Sequence, residues 1–383
     1  MDRPLRVGVI GCGEITVTRH LPAYLECAPR VEVVAVADVR SDRAERCAGM
    51  FGVARSYGSS AEMLADAELD AVSICVPNRY HAEAAIAAME AGCHVLCEKP
   101  PATSVAEAQR MAVAARRTGV FLRFGFQYRH QAEVQTLKRF IDGGELGEVY
   151  AARAHALRRR GIPAWVEFAD QAVQGGGPLI DIGVHVLDTA LYLMGYPEPA
   201  VVLGSTHLRI GNRDGIGLWG DWDWQTYAVE DMAVGMVRFV NGASLIVETS
   251  FAANIEATET TQVSLMGDHG GADLFPLRIY QEKHATLVDT TPVSSQPSGE
   301  DPYILQASRF VDLCRTGVEH GALATPREGL VIQRVVEGLY RSAQTDHAVV
   351  LGPAPEEQPY AQSPQSPPAD GIALDVRELR GSS

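Results

Sequence analysis

Short β-rich runs alternate with helical patterns through the first 125 residues, and this alternation restricts the fold more than any other feature of the sequence. Alanine-rich amphipathic segments such as "RYHAEAAIAAMEAG" and "VAEAQRMAVAARRTG" lie between the runs and close on the glycine expected after a helix C-terminus. Strands that alternate with helices are joined by right-handed crossovers into a parallel sheet covered on both faces. The strand candidates are "LRVGVI", "VEVVAVAD", "AVSICV", "HVLCEK" and "VFLRFG". An α/β domain is therefore predicted over residues 1–125.

The pattern changes after Gly125, where helical periodicity becomes sparser and turn-linked strand patterns follow one another. The strand candidates are "VYAARAHAL", "AVVLGSTHLRI", "DMAVGMVRFV", "ASLIVETSF" and "TTQVSLMG", and the helix candidates lie near residues 130–142, 181–195, 301–316 and 326–343. This order is typical of a mostly antiparallel sheet and predicts a second, α+β domain over residues 126–351. Residues 352–383 are proline-rich without periodicity, which predicts a tail without a packed core.

Charge and cysteine content disfavour several classes of partner. The net charge of −15 argues against nucleic acid or an anionic membrane. The seven cysteines include no CxxC pair, which favours core thiols in a reducing compartment over disulfides or a zinc site. No signal-peptide pattern precedes Leu5, and no apolar stretch reaches the length of a membrane span. We therefore expect a cytoplasmic protein without a bound metal.

A glycine-rich turn, "VGVIGCGEIT", follows the first predicted strand. Gly11 and Gly13 stand between this strand and a helix, where a backbone without side chains turns tightly and approaches a pyrophosphate at the helix N-terminus. The third position of this dinucleotide-binding pattern is Thr16 instead of Gly or Ala, which predicts looser packing of the first helix. The turn, the strand and the helix together predict a Rossmann domain.

Asp38 ends the second predicted strand, 25 residues beyond Gly13. A carboxylate at this place accepts hydrogen bonds from ribose hydroxyls and repels a 2′-phosphate, so the predicted cofactor is NAD rather than NADP. The alternative for Asp38 is an ordinary aspartate in a turn. Arg40 would either cover the adenine or bind a phosphate, and the sequence leaves both open.

The carboxyl ends of parallel strands meet at one edge of a sheet, so residues that follow the other strands join the cofactor site. "CVPNRYHAEAA" places Asn78 there, although this residue would serve equally as a helix cap. "CEKPP" places Lys99 on the same edge, where the nicotinamide would lie. The predicted cofactor-binding residues are Gly11, Gly13, Glu14, Ile15, Asp38, Val39, Arg40, Val76, Pro77, Asn78, His81, Glu98, Lys99 and Gln127.

The glycine turn, the "EKP" of residues 98–100 and the "DIGVH" of residues 181–185 together resemble the glucose–fructose oxidoreductase/inositol dehydrogenase/MocA (Gfo/Idh/MocA) family, from about residue 5 to about residue 345. The resemblance implies a Rossmann domain followed by an open-faced α/β domain whose sheet builds dimers or tetramers, so a homodimer or homotetramer through that sheet is expected. It also implies oxidation or reduction of a secondary alcohol of a sugar, cyclitol or related compound with NAD(P). By position, Lys99, Asp181 and His185 correspond to the family's catalytic lysine, aspartate and histidine.

The residue types suit this chemistry. Lys99 is one of three lysines in a chain that otherwise uses arginine, and lysine, unlike arginine, releases its proton when its pKa is lowered. Asp181 and His185 are four residues apart, so on a helix they share a face. Oxidation of a carbinol sends a hydride to the nicotinamide and needs a base for the hydroxyl proton, a task that histidine performs near neutral pH. The charge of oxidised nicotinamide is expected to lower the pKa of Lys99, and Asp181 would orient the pair or bind the substrate hydroxyl. Whether Lys99 or His185 takes the proton first is left open.

Two further segments are candidates for substrate contact. "FGFQYRH" and "HALRRRGIPAW" are expected to face the cleft between the domains, whereas Arg159 and Arg160 are better explained as solvated. The predicted substrate residues are Tyr128, Arg129, Arg158, Trp165 and His185. The "WGDWDW" of residues 219–224 combines aromatic faces with two acids, which suits a sugar ring or an amino sugar and equally an oligomer contact.

Three functions follow from these patterns. The first is an NAD-dependent dehydrogenase of a sugar, cyclitol or amino-sugar hydroxyl, with an aminoglycoside-type substrate as one form of it. The second is a glycoside hydrolase that oxidises its substrate transiently with tightly held NAD, and the third is a non-catalytic ligand sensor. The joint presence of Lys99, Asp181 and His185 argues against the sensor.

Overall fold

The computed structural model describes residues 3–164, 170–293 and 300–352, which form one six-stranded and one nine-stranded sheet with their helices. Trp165, a predicted substrate residue, lies outside the described residues. So does the predicted tail, apart from its first residue.

The first sheet is parallel throughout. Its strands are β1 (Leu5–Ile10), β2 (Val31–Ala37), β3 (Arg55–Tyr57), β4 (Ala71–Ile74), β5 (His94–Glu98) and β6 (Leu122–Gly125). They lie in the order β3-β2-β1-β4-β5-β6, so the direction in which strands are added reverses between β1 and β4. Ligands of open α/β sheets bind beyond the carboxyl ends of the strands at such a reversal.

Helices cover both faces of this sheet. They are α1 (Leu21–Glu26), α2 (Ser41–Phe51), α3 (Ser60–Asp66), α4 (His81–Glu90) and α5 (Val105–Thr118), with a π-helical turn at Thr16–His20 and a 3₁₀ turn at Asn78–Tyr80. In α5 the hydroxyl of Ser104 accepts a hydrogen bond from the backbone N–H of Glu107, and the helix ends at Gly119 with φ +72°. This helix therefore begins at a capping serine and ends at a glycine, as its sequence indicates.

The second sheet is antiparallel except for one parallel pair, β10 with β7. Its strands are β7 (Val149–Arg158), β8 (Pro199–His207), β9 (Met232–Phe239), β10 (Ser244–Ser250), β11 (Glu259–Gly267), β12 (Gly270–Leu274), β13 (Arg278–Lys283), β14 (Thr286–Thr290) and β15 (Val349–Val350). Their order is β14-β13-β12-β11-β7-β10-β9-β8-β15.

The remaining helices connect this sheet to the first. They are α6 (Ala132–Asp142), α7 (Gln171–Gln174), α8 (Val184–Leu193), α9 (Pro302–Thr316) and α10 (Pro326–Thr345), with a 3₁₀ turn at Gln127–His130 and a π-helical turn at Leu179–Gly183. All ten residues of α8 are buried, so this helix forms the centre of the second half. Phe310 of α9 packs against Leu5 and Val7 of β1, which returns the C-terminal part of the described chain to the first sheet.

The predicted fold class is confirmed: a parallel Rossmann sheet is followed by a second, mostly antiparallel sheet. The domain boundaries at residues 125 and 351 stay a prediction. The strands β3, β12, β13, β14 and β15 were not predicted, because they are only two to six residues long and lack a clear apolar alternation. None of the described helices is long and apolar enough to cross a membrane.

Candidate active site

The glycine turn after β1 is shaped by two different needs. Gly11 has φ +93°, and a Cβ there would stand 2.4 Å from the carbonyl oxygen of Cys75, so the close approach of β4 excludes any side chain. A Cβ on Gly13 would meet nothing within 4 Å, so this position leaves open space at the start of the helix. Thr16 is fully buried and its hydroxyl donates to Gly11 O at 2.6 Å. The prediction of looser packing at Thr16 is therefore wrong, because the buried hydroxyl gives the carbonyl oxygen of Gly11 a hydrogen-bond donor.

Asp38, at the end of β2, is held by backbone amides. Its Oδ2 accepts from Cys12 N at 2.9 Å and its Oδ1 from Arg40 N at 2.9 Å. Each carboxylate oxygen has a second lone pair, so the group keeps acceptor capacity for a ribose. Val39 is 91% exposed beside it, and Arg40 forms an exposed ion pair with Asp42 at 3.4 Å. The alternatives for Arg40 therefore stay open.

The edge residues after β4 connect the two halves of the chain. Asn78 Nδ2 donates to the carbonyl oxygen of Gln174 at 2.9 Å and makes no helix-capping hydrogen bond, so the cap alternative is wrong. His81 is 1% exposed, and its ring nitrogens lie 2.8 Å from Pro100 O and 2.9 Å from Val76 O. Both ring nitrogens of His81 are thus occupied by backbone carbonyl groups of the protein. The prediction that it binds the cofactor holds at most for its backbone.

Glu98 is buried beneath this edge and is paired with His20. His20 Nε2 donates to Glu98 Oε1 at 2.9 Å, and the backbone N–H of Lys99 donates to Glu98 Oε2 at 3.1 Å. Burial alone would raise the pKa of Glu98, but the hydrogen bond and charge of His20 and the charges of Lys99 and His81 together lower it by more, so the net shift is downward and the carboxylate stays charged. Nothing in the sequence indicates that His20 lies near the site, because a single histidine in a helical segment is not part of any recognisable motif.

Lys99 points across to the second half of the chain. Its Nζ donates to Asp181 Oδ1 at 2.8 Å and to Asp181 O at 3.3 Å. Burial lowers the pKa of Lys99, but the carboxylates of Asp181 and Glu98 raise it by more, and the net shift is upward. The expected lowering is therefore not produced by the protein's own groups, and it would require the charge of a bound nicotinamide.

His185 stands in the first turn of α8 beside this pair. Its Nδ1 is closed off from solvent and has no hydrogen-bond partner among the described residues. The ring of Tyr128 stacks on it, with centroids 4.9 Å apart and planes 24° apart. Burial, and then the charges of Lys99 and Arg158, lower the pKa of His185 well below its ordinary value. The imidazole is therefore neutral at physiological pH and able to accept a proton.

Asp181 is positioned by the run of three glycines at residues 175–177. Glu230 accepts hydrogen bonds from Gly177 N at 2.8 Å and Leu179 N at 3.2 Å. A Cβ on Gly177 would stand 2.2 Å from the carbonyl oxygen of Glu230, and one on Gly176 would stand 2.1 Å from the hydroxyl of Tyr340. The glycines thus allow the backbone to pack against these side chains at the start of the turn that carries Asp181.

The other predicted substrate residues divide into two groups. Arg158 lies against the ring of Trp219, with its guanidinium carbon 3.9 Å from the centroid, and its side chain is only 13% exposed. Tyr128 stacks on His185, and the charge of Arg158 acts to lower the pKa of Lys99 and of His185, so both lie beside the candidate catalytic cluster of Lys99, Asp181 and His185. Gln127 is buried and its Oε1 lacks a hydrogen-bond partner within the described chain, so it is available to a ligand at the hinge between the halves.

Arg129 is not part of this cluster, and its prediction as a substrate residue is wrong. Its side chain is fully buried and donates from Nε and Nη2 to the two carboxylate oxygens of Asp188 at 2.8 and 2.6 Å. It also donates to the hydroxyl of Tyr196 at 2.6 Å. Arg129 faces away from Tyr128 because neighbouring residues of a 3₁₀ turn point in different directions.

The residues at the carboxyl edge of the first sheet fit a dinucleotide. The turn leaves space above Gly13, and Asp38 is fixed with lone pairs to spare. Gln127 holds an unpartnered buried oxygen at the side where the nicotinamide end would lie. Among the described residues no group of three or more histidine, cysteine, aspartate or glutamate side chains is arranged to hold a metal ion.

Two family models match the chain. Residues 5–126 match "Oxidoreductase family, NAD-binding Rossmann fold", and residues 134–273 match "GFO/IDH/MocA C-terminal domain". The two matches together span more than half of the sequence, and the first of them ends at residue 126, next to the change of pattern after Gly125.

Named relatives are sugar and cyclitol dehydrogenases. The D-glucoside 3-dehydrogenase of Escherichia coli K12 is 39% identical over 349 residues, which cover 91% of this chain and 98% of the relative. The myo-inositol 2-dehydrogenase of Thermotoga maritima is 28% identical over 321 residues, which cover 78% of this chain and 90% of the relative.

Two solved structures with this fold hold NADH or NAD. Levoglucosan dehydrogenase, in complex with NADH and L-sorbose, superposes with a TM-score of 0.79 at 25% identity and covers 92% of this chain and 100% of its own. GenD2 from gentamicin A biosynthesis, in complex with NAD, has a TM-score of 0.73 at 25% identity, with 92% and 97% coverage.

Proposed function

Because the chain belongs to the Gfo/Idh/MocA family of NAD-binding oxidoreductases, we propose that it transfers a hydride between NAD and one secondary hydroxyl of a glucoside or cyclitol. The observation that carries the proposal is the 2.8 Å contact of Lys99 Nζ with Asp181 Oδ1, beside the ring of His185, whose Nδ1 has no hydrogen-bond partner among the described residues. The hydroxyl at C3 of a glucoside is the first choice, because the relative that is 39% identical is named for that position.

Within this proposal the two candidate bases have different roles. NAD, when bound, supplies the hydride acceptor. Lys99 is already protonated because its pKa is raised, so its ammonium donates a hydrogen bond to the carbinol oxygen and stabilises negative charge there. His185 is neutral because its pKa is lowered, so its imidazole takes the hydroxyl proton. Asp181 holds the ammonium in place, and its second oxygen is free to orient the substrate.

An amino sugar is a second substrate class. The GenD2 structure comes from the biosynthesis of an aminoglycoside, and the acidic loop that contains Asp221 and Asp223 would favour a cationic ring. This observation is weaker than the relatives named for neutral sugars, so amino sugars take second place.

We further propose that the protein is a homo-oligomer through the open face of the second sheet. Leu203, Met236 and Ile246 stand opposite one another on β8, β9 and β10 and are 54%, 42% and 37% exposed. An apolar row across a sheet face is typical of an interface between copies of a chain. Met236→Asp should lower the mass measured by light scattering, whereas an unchanged mass contradicts this interface.

The proposed activity is tested by screening the purified protein for NADH formation, by absorbance, with methyl glucosides, free aldoses, inositols and aminoglycosides. A sugar-dependent rise of NADH is expected with at least one glucoside or cyclitol. Release of a free sugar from a glycoside without net NADH would instead support the hydrolase that uses NAD transiently. Saturable binding without either product would support the ligand sensor.

A further inference from the structure

The loop between β8 and β9 exposes an unusual set of side chains. Within nine residues it presents Ile216, Leu218, Trp219 and Trp224, which are 77%, 54%, 45% and 37% exposed. Single exposed apolar residues are ordinary on a protein surface, but a cluster of four with two indole rings indicates a binding surface. Large aromatic rings are also the side chains that stack on the faces of other rings.

The loop is anchored to its own half of the chain. Trp222, between the two exposed tryptophans, is buried, and its Nε1 donates to Gly211 O at 2.7 Å. Asp231 Oδ2 accepts from the consecutive backbone amides of Arg209, Ile210 and Gly211 at 2.7, 2.5 and 2.8 Å. A surface fixed in this way is ready to bind without first being ordered.

Trp219 is connected to the catalytic cluster through a single side chain. Leu218 N donates to Arg160 O at 2.9 Å, which holds the loop beside the end of β7. There the guanidinium of Arg158 lies over the Trp219 ring, 3.9 Å from its centroid. The backbone N–H of Arg158 donates to Ser250 Oγ at 3.2 Å, which fixes the end of β7 against β10. The charge of Arg158 acts on Lys99, Tyr128 and His185 alike.

We propose that Trp219 forms a subsite for the second ring of a glycoside, the aglycone, while the ring that is oxidised lies against Lys99 and His185. This inference rests on the proposed function and narrows its substrate class to glycosides that carry a ring-shaped aglycone. In this proposal Arg158 stands between the two subsites, and its contact with the Trp219 ring at 3.9 Å orients the indole.

The surroundings favour an aglycone over a second copy of the chain as the occupant of this surface. Trp222 of the same loop packs with Phe251 in an apolar cluster that Ile182, next to Asp181, also contacts, and the Arg158 guanidinium carbon lies 5.8 Å from the centroid of Phe251. The loop therefore adjoins the segment that carries Asp181, and it is held to the chain's own Arg160. The row of Leu203, Met236 and Ile246 lies on the sheet face and is separate from this loop. Asp221, next to the indoles, has no hydrogen-bond or ion-pair partner among the residues that the structure describes, so a carboxylate is at hand for ring hydroxyls.

The experiment compares methyl β-D-glucopyranoside with phenyl β-D-glucopyranoside, which differ only in the ring of the aglycone. Binding to the NAD-loaded protein is measured by calorimetry, and turnover is followed as NADH. The variants are Trp219→Ala, the ring-retaining Trp219→Phe, and Trp224→Ala as a matched control from the same loop without contact to Arg158. Thermal melting and light scattering verify that each variant keeps its fold and mass.

The wild type should bind the phenyl glucoside about tenfold more tightly than the methyl glucoside, as expected for one stacked ring. Trp219→Ala should remove this preference through Kd and KM with kcat little changed, Trp219→Phe should restore most of it, and Trp224→Ala should keep it. Equal affinity of the wild type for both glucosides would overturn the subsite, as would equal losses with both in Trp219→Ala or a change of oligomer mass. Sugar-dependent NADH formation in those cases would leave the proposed dehydrogenase intact. Tighter binding of the phenyl glucoside without NADH formation would instead support the subsite and overturn the proposed dehydrogenase.

Discussion

The two halves of the candidate site are held in different ways. On the cofactor side, Asp38 and Glu98 are both buried and both accept backbone N–H groups, and Glu98 is paired with His20. On the substrate side, His185 Nδ1 has no hydrogen-bond partner among the described residues, and Trp219 is 45% exposed. A half whose groups are satisfied by the protein is fixed for one ligand, whereas a half with open groups leaves its specificity to the molecule that fills it.

The difference has its origin in the backbone. Strand ends of the parallel sheet place Asp38 and Glu98 within reach of neighbouring amides, because those strands are themselves hydrogen-bonded to each other. His185 and Trp219 come instead from a helix and a long loop, whose positions depend on side-chain packing.

The largest effect is expected at Lys99, where the two halves meet. Lys99→Arg keeps the positive charge, but its planar guanidinium does not place a proton where the ammonium does. Positioned acid–base groups contribute about 10²–10⁴-fold, so kcat should fall by that range while NAD affinity and KM change little. Steady-state kinetics and NAD titration measure both. Near-normal kcat would mean that Lys99 is only a counter-charge to Asp181.

His185→Ala should lower kcat by a similar factor of about 10²–10⁴. The double variant with Lys99→Arg should lose less than the product of the two single effects, because both residues serve one proton transfer. Strictly multiplicative losses would show that they act independently. The measurement is a double-mutant cycle on kcat at constant pH.

The pH profile follows from the direction of the His185 shift. The neutral imidazole is the active form, and its pKa is lowered by burial and then by Lys99 and Arg158, so it stays neutral as the pH falls through the ordinary histidine value of about 6.5. The kcat/KM for sugar oxidation should therefore be flat through pH 6.5 (about the unperturbed value) and fall only below it. A decline centred at or above that value in the wild type would contradict His185 as the base.

Asp38 tests the fixed half. Asp38→Ser removes the carboxylate that repels a 2′-phosphate, so the preference for NAD over NADP in kcat/KM should narrow by about tenfold or more. Because Cys12 N and Arg40 N also lose their acceptor, thermal melting is measured alongside. Wild-type protein that uses NADP as well as NAD would overturn the role of Asp38 and make Arg40 a phosphate ligand.

The smallest effect is expected in the acidic loop. Asp223 accepts hydrogen bonds from Gln225 N at 3.2 Å and Thr226 Oγ1 at 2.8 Å, so it shapes the loop, whereas Asp221 is left for a ligand. Asp221→Asn should raise KM for an amino sugar only a few-fold relative to its neutral hydroxyl analogue, because exposed charges are well screened. Asp223→Asn is the matched control. An equal change for both sugars would remove the case for a cationic substrate, and a shift in oligomer mass would make the loop an interface.

Much of the site could be read from the sequence because its parts follow local rules. The turn at Gly11 and Gly13, the acid at the end of β2 and the lysine at the end of β5 stand where strand periodicity and turn residues place them. The four-residue spacing of Asp181 and His185 likewise put them near one another, although a π-helical turn, not one regular helix, carries the first of them.

The tertiary structure alone decided which partner each group has. His20 meets Glu98 across 78 residues, Glu230 meets Gly177 across 53, and Lys99 meets Asp181 across 82. The same packing took Arg129 into an ion pair with Asp188 and His81 into contacts with Pro100 and Val76, against what their neighbours in sequence indicated. Periodicity and turn chemistry are properties of a few adjacent residues, so the strands of the first sheet apart from β3, its carboxyl edge and the residue types of the site could be predicted from the sequence. The direction and pairing of a side chain depend on which distant segments exclude water around it, so hydrogen-bond partners and pKa shifts were decided only when the chain was folded.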